Sequence, residues 1–195
     1  DFSWAGENAC TLVAVTGGTN IEEIGEYAFS SVAPGSSGAL EDAIFSSGRL
    51  VAVGDFAFYK NPWLTRVKLG SSLQTIGRSA FTETPRLSSI NLPDSVTTIG
   101  EGAFFGSGLT NIAIPSGVTK IELAAFGSID GLRQVTMSDG VTAIERQAFI
   151  GSPITKLTMS QNIQTIGGLA FYGHQLEQVS IPATTTLIGG RAFAG

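Results

Sequence analysis

Apolar residues recur along this chain at intervals too regular for an ordinary globular domain. The dipeptide Ala-Phe occurs eight times, with its Phe at Phe29, Phe58, Phe81, Phe104, Phe126, Phe149, Phe171 and Phe193; one spacing is 29 residues and the rest are 22 or 23. Five residues before each Phe stands a β-branched aliphatic: Ile24, Val53, Ile76, Ile99, Ile121, Ile144, Ile166 and Ile188. Three residues earlier again come Ile21, Leu50, Leu73, Val96, Val118, Val141, Ile163 and, breaking the rule, Thr185. A second apolar block reads Leu64/Val67/Leu69, Leu87/Ile90/Leu92, Leu109/Ile112/Ile114, Leu132/Val135/Met137, Ile154/Leu157/Met159 and Leu176/Val179/Ile181. Its last two members are two residues apart, the period of a strand. Pro93, Pro115, Pro182 or Gly70 often follows directly, and Pro ends pairing because it has no N–H to donate.

Each unit is therefore predicted to be a short strand, a turn, a second extended segment and a tight helical or 3₁₀ turn around Ala-Phe. One such unit cannot bury its own apolar face, whereas stacked copies build a continuous core. A propeller blade needs about 40–45 residues and a helical-hairpin repeat about 33–34, so neither fits. The pattern predicts a β-rich repeat solenoid of about eight units over residues 12–195, after a lead-in or partial cap at 1–11.

The irregular units refine this picture. The longest spacing absorbs its excess mainly in Ser30–Ala39, a Gly/Ser/Pro stretch that reads as a bulged loop before the strand Leu40, Ala43, Phe45. In the first unit Leu12 and Val15 fit, but Gly17 takes the third strand position. Glycine follows the β-branched residue as Gly25, Gly54, Gly77, Gly100, Gly167 and Gly189, yet Glu122 and Glu145 stand there twice. A position that accepts Glu does not demand positive φ; close packing or the N-terminus of a helical turn explains it better.

A period of 22–23 falls within the leucine-rich range of about 20–29. The stretch Leu87 to Phe104, LSSINLPDSVTTIGEGAF, resembles the consensus of the BspA-type leucine-rich repeats of bacterial and protist cell-surface proteins. The resemblance covers roughly residues 12–193 and implies a leucine-rich repeat solenoid. It also implies an extracellular or cell-surface protein, adhesin-like, that adheres to host or matrix proteins; the length of the solenoid face suits a protein or short glycan partner. One departure is that the family often carries Cys a few residues after Ala-Phe, where this chain has Asn61, Thr84, Gly106, Ile129, Gly151 and Gly173.

Composition narrows the function classes. Eleven basic against 16 acidic residues give a net charge of -5, which argues against nucleic acid or an anionic membrane as partner, since both call for a surplus of Lys and Arg. No apolar run is long enough to insert in a membrane. With one Cys, one His and no Cys/His cluster, neither an internal disulfide nor a zinc site is expected, and no metal or cofactor is implied. The glycines form no phosphate loop, and a repeat this short leaves no room for a dinucleotide site. His174, in a loop expected to be exposed, has no nucleophile and acid selected for it by spacing. An enzyme is not expected.

The residues flanking the middle aliphatic of each strand should face solvent, because side chains alternate along a strand. They give a candidate partner-binding face of Arg66, Lys68, Ser89, Asn91, Asn111, Gln134, Thr136, Lys156, Thr158, Gln178 and Ser180, with Trp63 in the turn beside it. Eight units at strand spacing span roughly 35 Å. Such a face either simply meets water or holds a partner, as extended solenoid faces commonly do. Trp63 with Arg66 and Lys68 is its most interface-like cluster, since Trp and Arg are enriched at hot spots. A threonine row through Thr97, Thr119, Thr142 and Thr186 could order water, but Gln74 and Gln164 interrupt it and Thr is favoured in strands anyway.

Ahead of the first unit, Trp4 could plug the end of the core, and Cys10 reads as a buried free thiol. The chain ends at Arg191-Ala-Phe-Ala-Gly195 without a capping segment. An uncapped solenoid end leaves strand edges open, so the expectation is a solenoid that continues beyond 195. The alternative is a structural subunit of a larger assembly or filament that self-associates through its ends.

Overall fold

The computed structural model describes residues 12–31, 39–45 and 48–195. The lead-in with Phe2, Trp4 and Cys10, and the insertion from 32 to 38, lie outside the described residues.

The apolar block at the start of each unit forms a short strand: β1 (Ala14–Thr16), β3 (Asp42–Ile44), β5 (Arg66–Lys68), β8 (Asn111–Ile114), β10 (Gln134–Met137) and β12 (Lys156–Thr158). The β-branched position closes a second set: β2 (Glu23–Ile24), β4 (Ala52–Val53), β6 (Thr75–Ile76), β7 (Thr98–Ile99), β9 (Lys120–Ile121), β11 (Ala143–Ile144), β13 (Thr165–Ile166) and β14 (Leu187–Ile188). Every pairing is parallel and joins a strand to its equivalent one unit away, as in Val135 opposite both Ile112 and Leu157. The result is a β-solenoid whose coils present two parallel faces and a third side made by the Ala-Phe turns.

That third side contains no helix or 3₁₀ turn, contrary to the expectation from sequence. Its amides alternate between two kinds of partner. Ala103, Phe105 and Ser107 donate to carbonyls three residues back, at 3.2, 2.9 and 3.1 Å, while Gly102, Phe104 and Gly106 donate to Leu123, Ala125 and Gly127 of the next coil at 2.9, 2.8 and 3.0 Å. A left-handed residue makes this alternation possible two positions before and two after the Phe, as at Gly102 and Gly106, Phe56 and Lys60, and Ser79 and Glu83. A right-handed helix excludes such residues. The segment is a run of β-turns hydrogen-bonded from coil to coil.

Inside it the eight phenylalanines form one spine. Successive rings from Phe29 to Phe193 lie 5.1–5.4 Å apart and within 4–14° of parallel, an offset stack of the kind aromatic quadrupoles favour. The six from Phe58 to Phe171 are fully buried, and the β-branched column is buried with them from Ile24 to Ile166.

Two glycine positions show how tightly the coils approach. A Cβ on Gly77 would lie 2.6 Å from the Asp55 amide nitrogen, and its φ is not positive, so close packing of backbone on backbone accounts for glycine at this position. Gly17 yields its third strand position to the Phe45 ring, which would meet its Cβ at 2.3 Å. Three residues after Phe58, Phe81, Phe104 and Phe149 stand the buried polar residues Asn61, Thr84, Ser107 and Ser152, with the apolar Ile129 in the same column; Gly106, Gly151 and Gly173 are the left-handed residues just before it. Thr185, the exception among the aliphatics, donates its hydroxyl to the Ile163 carbonyl at 3.0 Å.

Candidate binding face

The first strand set does not form one continuous sheet. It divides into β1-β3-β5 and β8-β10-β12, and the predicted strands at 87–92 and 176–181 are not formed. Of residues 88–92, only the Ser88 carbonyl takes a backbone bond, from the Thr110 amide at 3.1 Å. Pro93 is not the cause, because Ile114 is followed by Pro115 and still ends a strand. Nor does the residue that leads into the strand decide it. Thr65, Thr110 and Thr155 each tie their hydroxyl to a carbonyl of the preceding coil, at 3.2, 3.3 and 3.2 Å. Ser88 stands in that column without such a bond, but Glu41 and Arg133 lack it too and β3 and β10 still form after them, so nothing in this column explains the gap.

The candidate residues therefore fall into distinct settings. Asn111, Gln134 and Lys156 are exposed and directly opposite one another across β8, β10 and β12, with Thr136 and Thr158 paired beyond them. Between them the alternate side chains Ile112 and Val135 point inward and are buried. Arg66 and Lys68 are exposed on β5, in the other half of the face. Ser89 and Asn91 are exposed on the segment that joins neither ladder, and Gln178 and Ser180 are exposed on the last, unladdered segment.

Two residues that the sequence reading did not place on it complete this face. Asp42 holds Arg66 in a bidentate pair, accepting from Nε at 3.0 Å and from Nη2 at 2.5 Å; this hydrogen bond, with the adjacent charge, raises the pKa of the guanidinium above its ordinary value. The signal was available in principle, because Asp42 lies opposite Arg66 in the parallel register, but the irregular unit around it obscured the alignment. The Arg86 guanidinium lies 3.9 Å over the Trp63 ring, a cation–π contact that bridges the third and fourth coils. Trp63 remains 42% exposed and on its other flank lines a groove of about 260 Å³ with Val13, Ala39 and Glu41.

The interruption of the sheet creates a second groove, of about 300 Å³, between β5 and the unladdered segment. Thr65, Arg66, Val67, Ser89, Ile90 and Asn91 line it. Its floor is apolar and its rim carries hydroxyl, amide and guanidinium groups.

Elsewhere the polar groups serve the coil itself. The threonine row is spent on backbone: Thr97, Thr142 and Thr186 donate to Gln74, Thr119 and Gln164 at 3.3, 3.2 and 3.2 Å. His174 is half-buried rather than exposed. Its Nδ1 accepts from the Leu176 amide at 2.9 Å and its Nε2 donates to the Phe193 carbonyl at 3.1 Å, so both ring nitrogens are engaged by backbone. Among the described residues, no group of three His, Cys, Asp or Glu side chains could hold a metal ion, and no helix is long and apolar enough to cross a membrane.

Comparison with known proteins agrees with this architecture. A leucine-rich repeat protein from Bacteroides ovatus is similar in structure, with a TM-score of 0.69 and 21% identity over 92% of this chain and 54% of its own. The chain thus spans about half the length of that relative. A leucine-rich repeat protein of T. pallidum follows, with a TM-score of 0.56 and 23% identity over 68% of this chain and 73% of its own. One from Eubacterium ventriosum gives a TM-score of 0.54 and 18% identity over 96% of this chain and 78% of its own. No curated protein matches significantly. The profile of the BspA type leucine rich repeat region matches residues 7–109 and 97–195, in six copies. With that match across nearly its whole length, the chain belongs to the BspA-type leucine-rich repeat family.

Proposed function

We propose that this chain is a non-enzymatic interaction module of a cell-surface or extracellular protein, holding a protein or glycan partner along its first strand face. The observation that carries this reading is the exposed ladder of Asn111, Gln134 and Lys156, with Ile112 and Val135 locked into the core between them. Side chains fixed at strand spacing on a rigid scaffold lose little freedom when they bind, and this preorganisation favours affinity. The family supports the surface location, and nothing in the environment of His174 competes as a catalytic centre.

The test uses immobilised arrays of extracellular-matrix proteins and of glycans, probed with the whole chain. Charge reversal at Lys156 together with Gln134→Glu is expected to reduce binding to any captured partner by about tenfold, as for interface hot spots. Gln164→Glu, on the other strand set, should leave binding unchanged. Equal loss in both variants, or in neither, would overturn the assignment to this face.

A second reading is favoured by a different observation. Leu187 and Ile188 of β14 are 56% and 48% exposed, and Val179 and Ile181 beside them are exposed as well. An apolar strand edge accepts a further strand, either from the next coil of a longer chain or from a second copy, and in the second case the module would act as a structural subunit. Light scattering across a concentration series separates the readings. A mass that stays at 20.2 kDa supports the partner-binding face, and a mass that climbs in steps supports the subunit.

A further inference from the structure

The groove between β5 and residues 88–92 is the place where the coil leaves its own backbone chemistry unspent. Arg66 donates its amide to Glu41, and the Lys68 carbonyl accepts from Phe45. Alternate residues of a strand face opposite neighbours, so the amide and carbonyl of Val67 turn toward the fourth coil, where no ladder receives them. On the other wall the amides of Ser89 and Asn91 donate to no acceptor among the described residues. Val67 and the half-buried Ile90 form an apolar floor between these groups, and Thr65, Ser89 and Asn91 supply a neutral polar rim.

Charge and size restrict what fits. The one charged lining group, Arg66, already spends Nε and Nη2 on Asp42, so the groove offers no uncompensated charge to an anion or a cation. Its volume of about 300 Å³ is at the lower limit of ligand sites and accepts one ring with a substituent, not an added strand. A planar neutral group with a donor, an acceptor and a methyl matches the walls and floor together: the methyl on Val67 and Ile90, the carbonyl accepting from Ser89 or Asn91, and the N–H donating to the Val67 carbonyl.

We propose that this groove is a subsite for an N-acetylhexosamine unit of a glycan, with the acetamido group seated in the interrupted ladder. The proposal rests on the partner-binding reading of the face and narrows it to one ligand class at one place. The sugar ring hydroxyls then meet Asn91, whose amide donates and accepts, and Thr65, whose hydroxyl gives its proton to Glu41 and accepts from the sugar.

The test is a titration of the isotope-labelled whole chain with N,N′-diacetylchitobiose, followed by amide resonances, with cellobiose as the matched probe that carries hydroxyls in place of acetamido groups. Saturable shifts at Val67, Ser89, Ile90 and Asn91 are expected with the acetylated sugar. Cellobiose should bind roughly tenfold more weakly or worse, because a site that hydrogen-bonds a polar group rejects the analogue lacking it. Ser89→Val, which favours strand closure, should abolish the shifts while the spectrum of β8 to β12 stays as in the parent chain. Asn91→Ser serves as the milder variant and should weaken binding with the fold intact. No saturable shift at millimolar sugar, an equal response to both sugars, or shifts confined to β8 to β12 would each overturn the proposal. A partner captured on Gln134 and Lys156 and indifferent to Ser89→Val would do so too, while leaving the wider reading of the face in place.

Discussion

Phe104 and Phe126 stack with centroids 5.4 Å apart and rings 6° from parallel, although 22 residues separate them where 23 separate Phe81 from Phe104. The spine keeps its spacing and the lost residue is taken elsewhere. Six residues run from Phe81 to Leu87 but only five from Phe104 to Leu109, so the lead-in to the strand absorbs the difference. The Ala-Phe side, hydrogen-bonded from coil to coil throughout, is the invariant rail of the solenoid, and the strand face is where the repeat varies.

Removing a ring from the middle of this rail leaves a cavity that rigid coils cannot close. Phe104→Ala is expected to cost about 3–5 kcal/mol, measured by urea denaturation. Phe193→Ala should cost clearly less, because Phe193 is only half-buried and stacks on one side alone. Equal costs at the two positions would contradict the continuous spine.

Backbone contact between coils predicts a contrast between two glycines with the same repeat position. Gly77→Ala places a methyl 2.6 Å from the Asp55 nitrogen and should destabilise by about 1–3 kcal/mol. Gly25 has nothing within 4 Å of its Cβ position, so Gly25→Ala should fall within about 0.5 kcal/mol of the parent. Thermal melts of the two variants decide this.

The buried polar column makes an opposite pair of predictions. Asn61 donates to the Phe29 carbonyl at 2.7 Å, so Asn61→Ala should cost about 1–3 kcal/mol by leaving that carbonyl unpaired. Ser107 Oγ has no hydrogen-bond partner among the described residues, and Ser107→Ala should be neutral or stabilising. A loss of stability at Ser107→Ala comparable to that at Asn61→Ala would contradict the geometry.

Lys120 carries a pH signature. Its hydrogen bond to Glu122 at 2.8 Å, reinforced by the charges of Glu122, Glu145 and Glu101, raises its pKa above the ordinary 10.5. A raised pKa stabilises the folded form below the unfolded value, and that contribution is lost as pH rises through the folded value. Melting temperature should therefore fall across the lysine titration region, with a smaller fall in Lys120→Gln. The side chain is 45% exposed, so solvent screening holds the difference below about 1 kcal/mol.

Much of this architecture was legible because each repeated position has one physical job. The Phe, the β-branched residue and the strand aliphatics all point into a single core, and their periodicity specifies the stacking. Three features were not legible. The Ala-Phe segment has the composition of a helical turn, and only the coil-to-coil bonds of alternate amides reveal it as β-turns. The segment at Ser88–Leu92 carries the full apolar pattern, and nothing in that pattern reports that its ladder does not form. Arg86 is recognisable only in three dimensions, because its partner Trp63 belongs to the neighbouring coil, and Asp42 was hidden because the irregular unit around it obscured its register with Arg66.

The interruption of the strand face at Ser88–Leu92 is the centre of this account, because it defines the groove and divides the face. Residue-resolved amide hydrogen exchange tests it directly. Ser89, Ile90 and Asn91 are expected to exchange rapidly, while Ile112 and Val135, paired in β8 and β10, stay protected; adding N,N′-diacetylchitobiose should slow Ser89 and Asn91 selectively. Protection at Ser89–Asn91 equal to that at Ile112 and Val135 in the free chain would mean the ladder is closed, and would contradict the account.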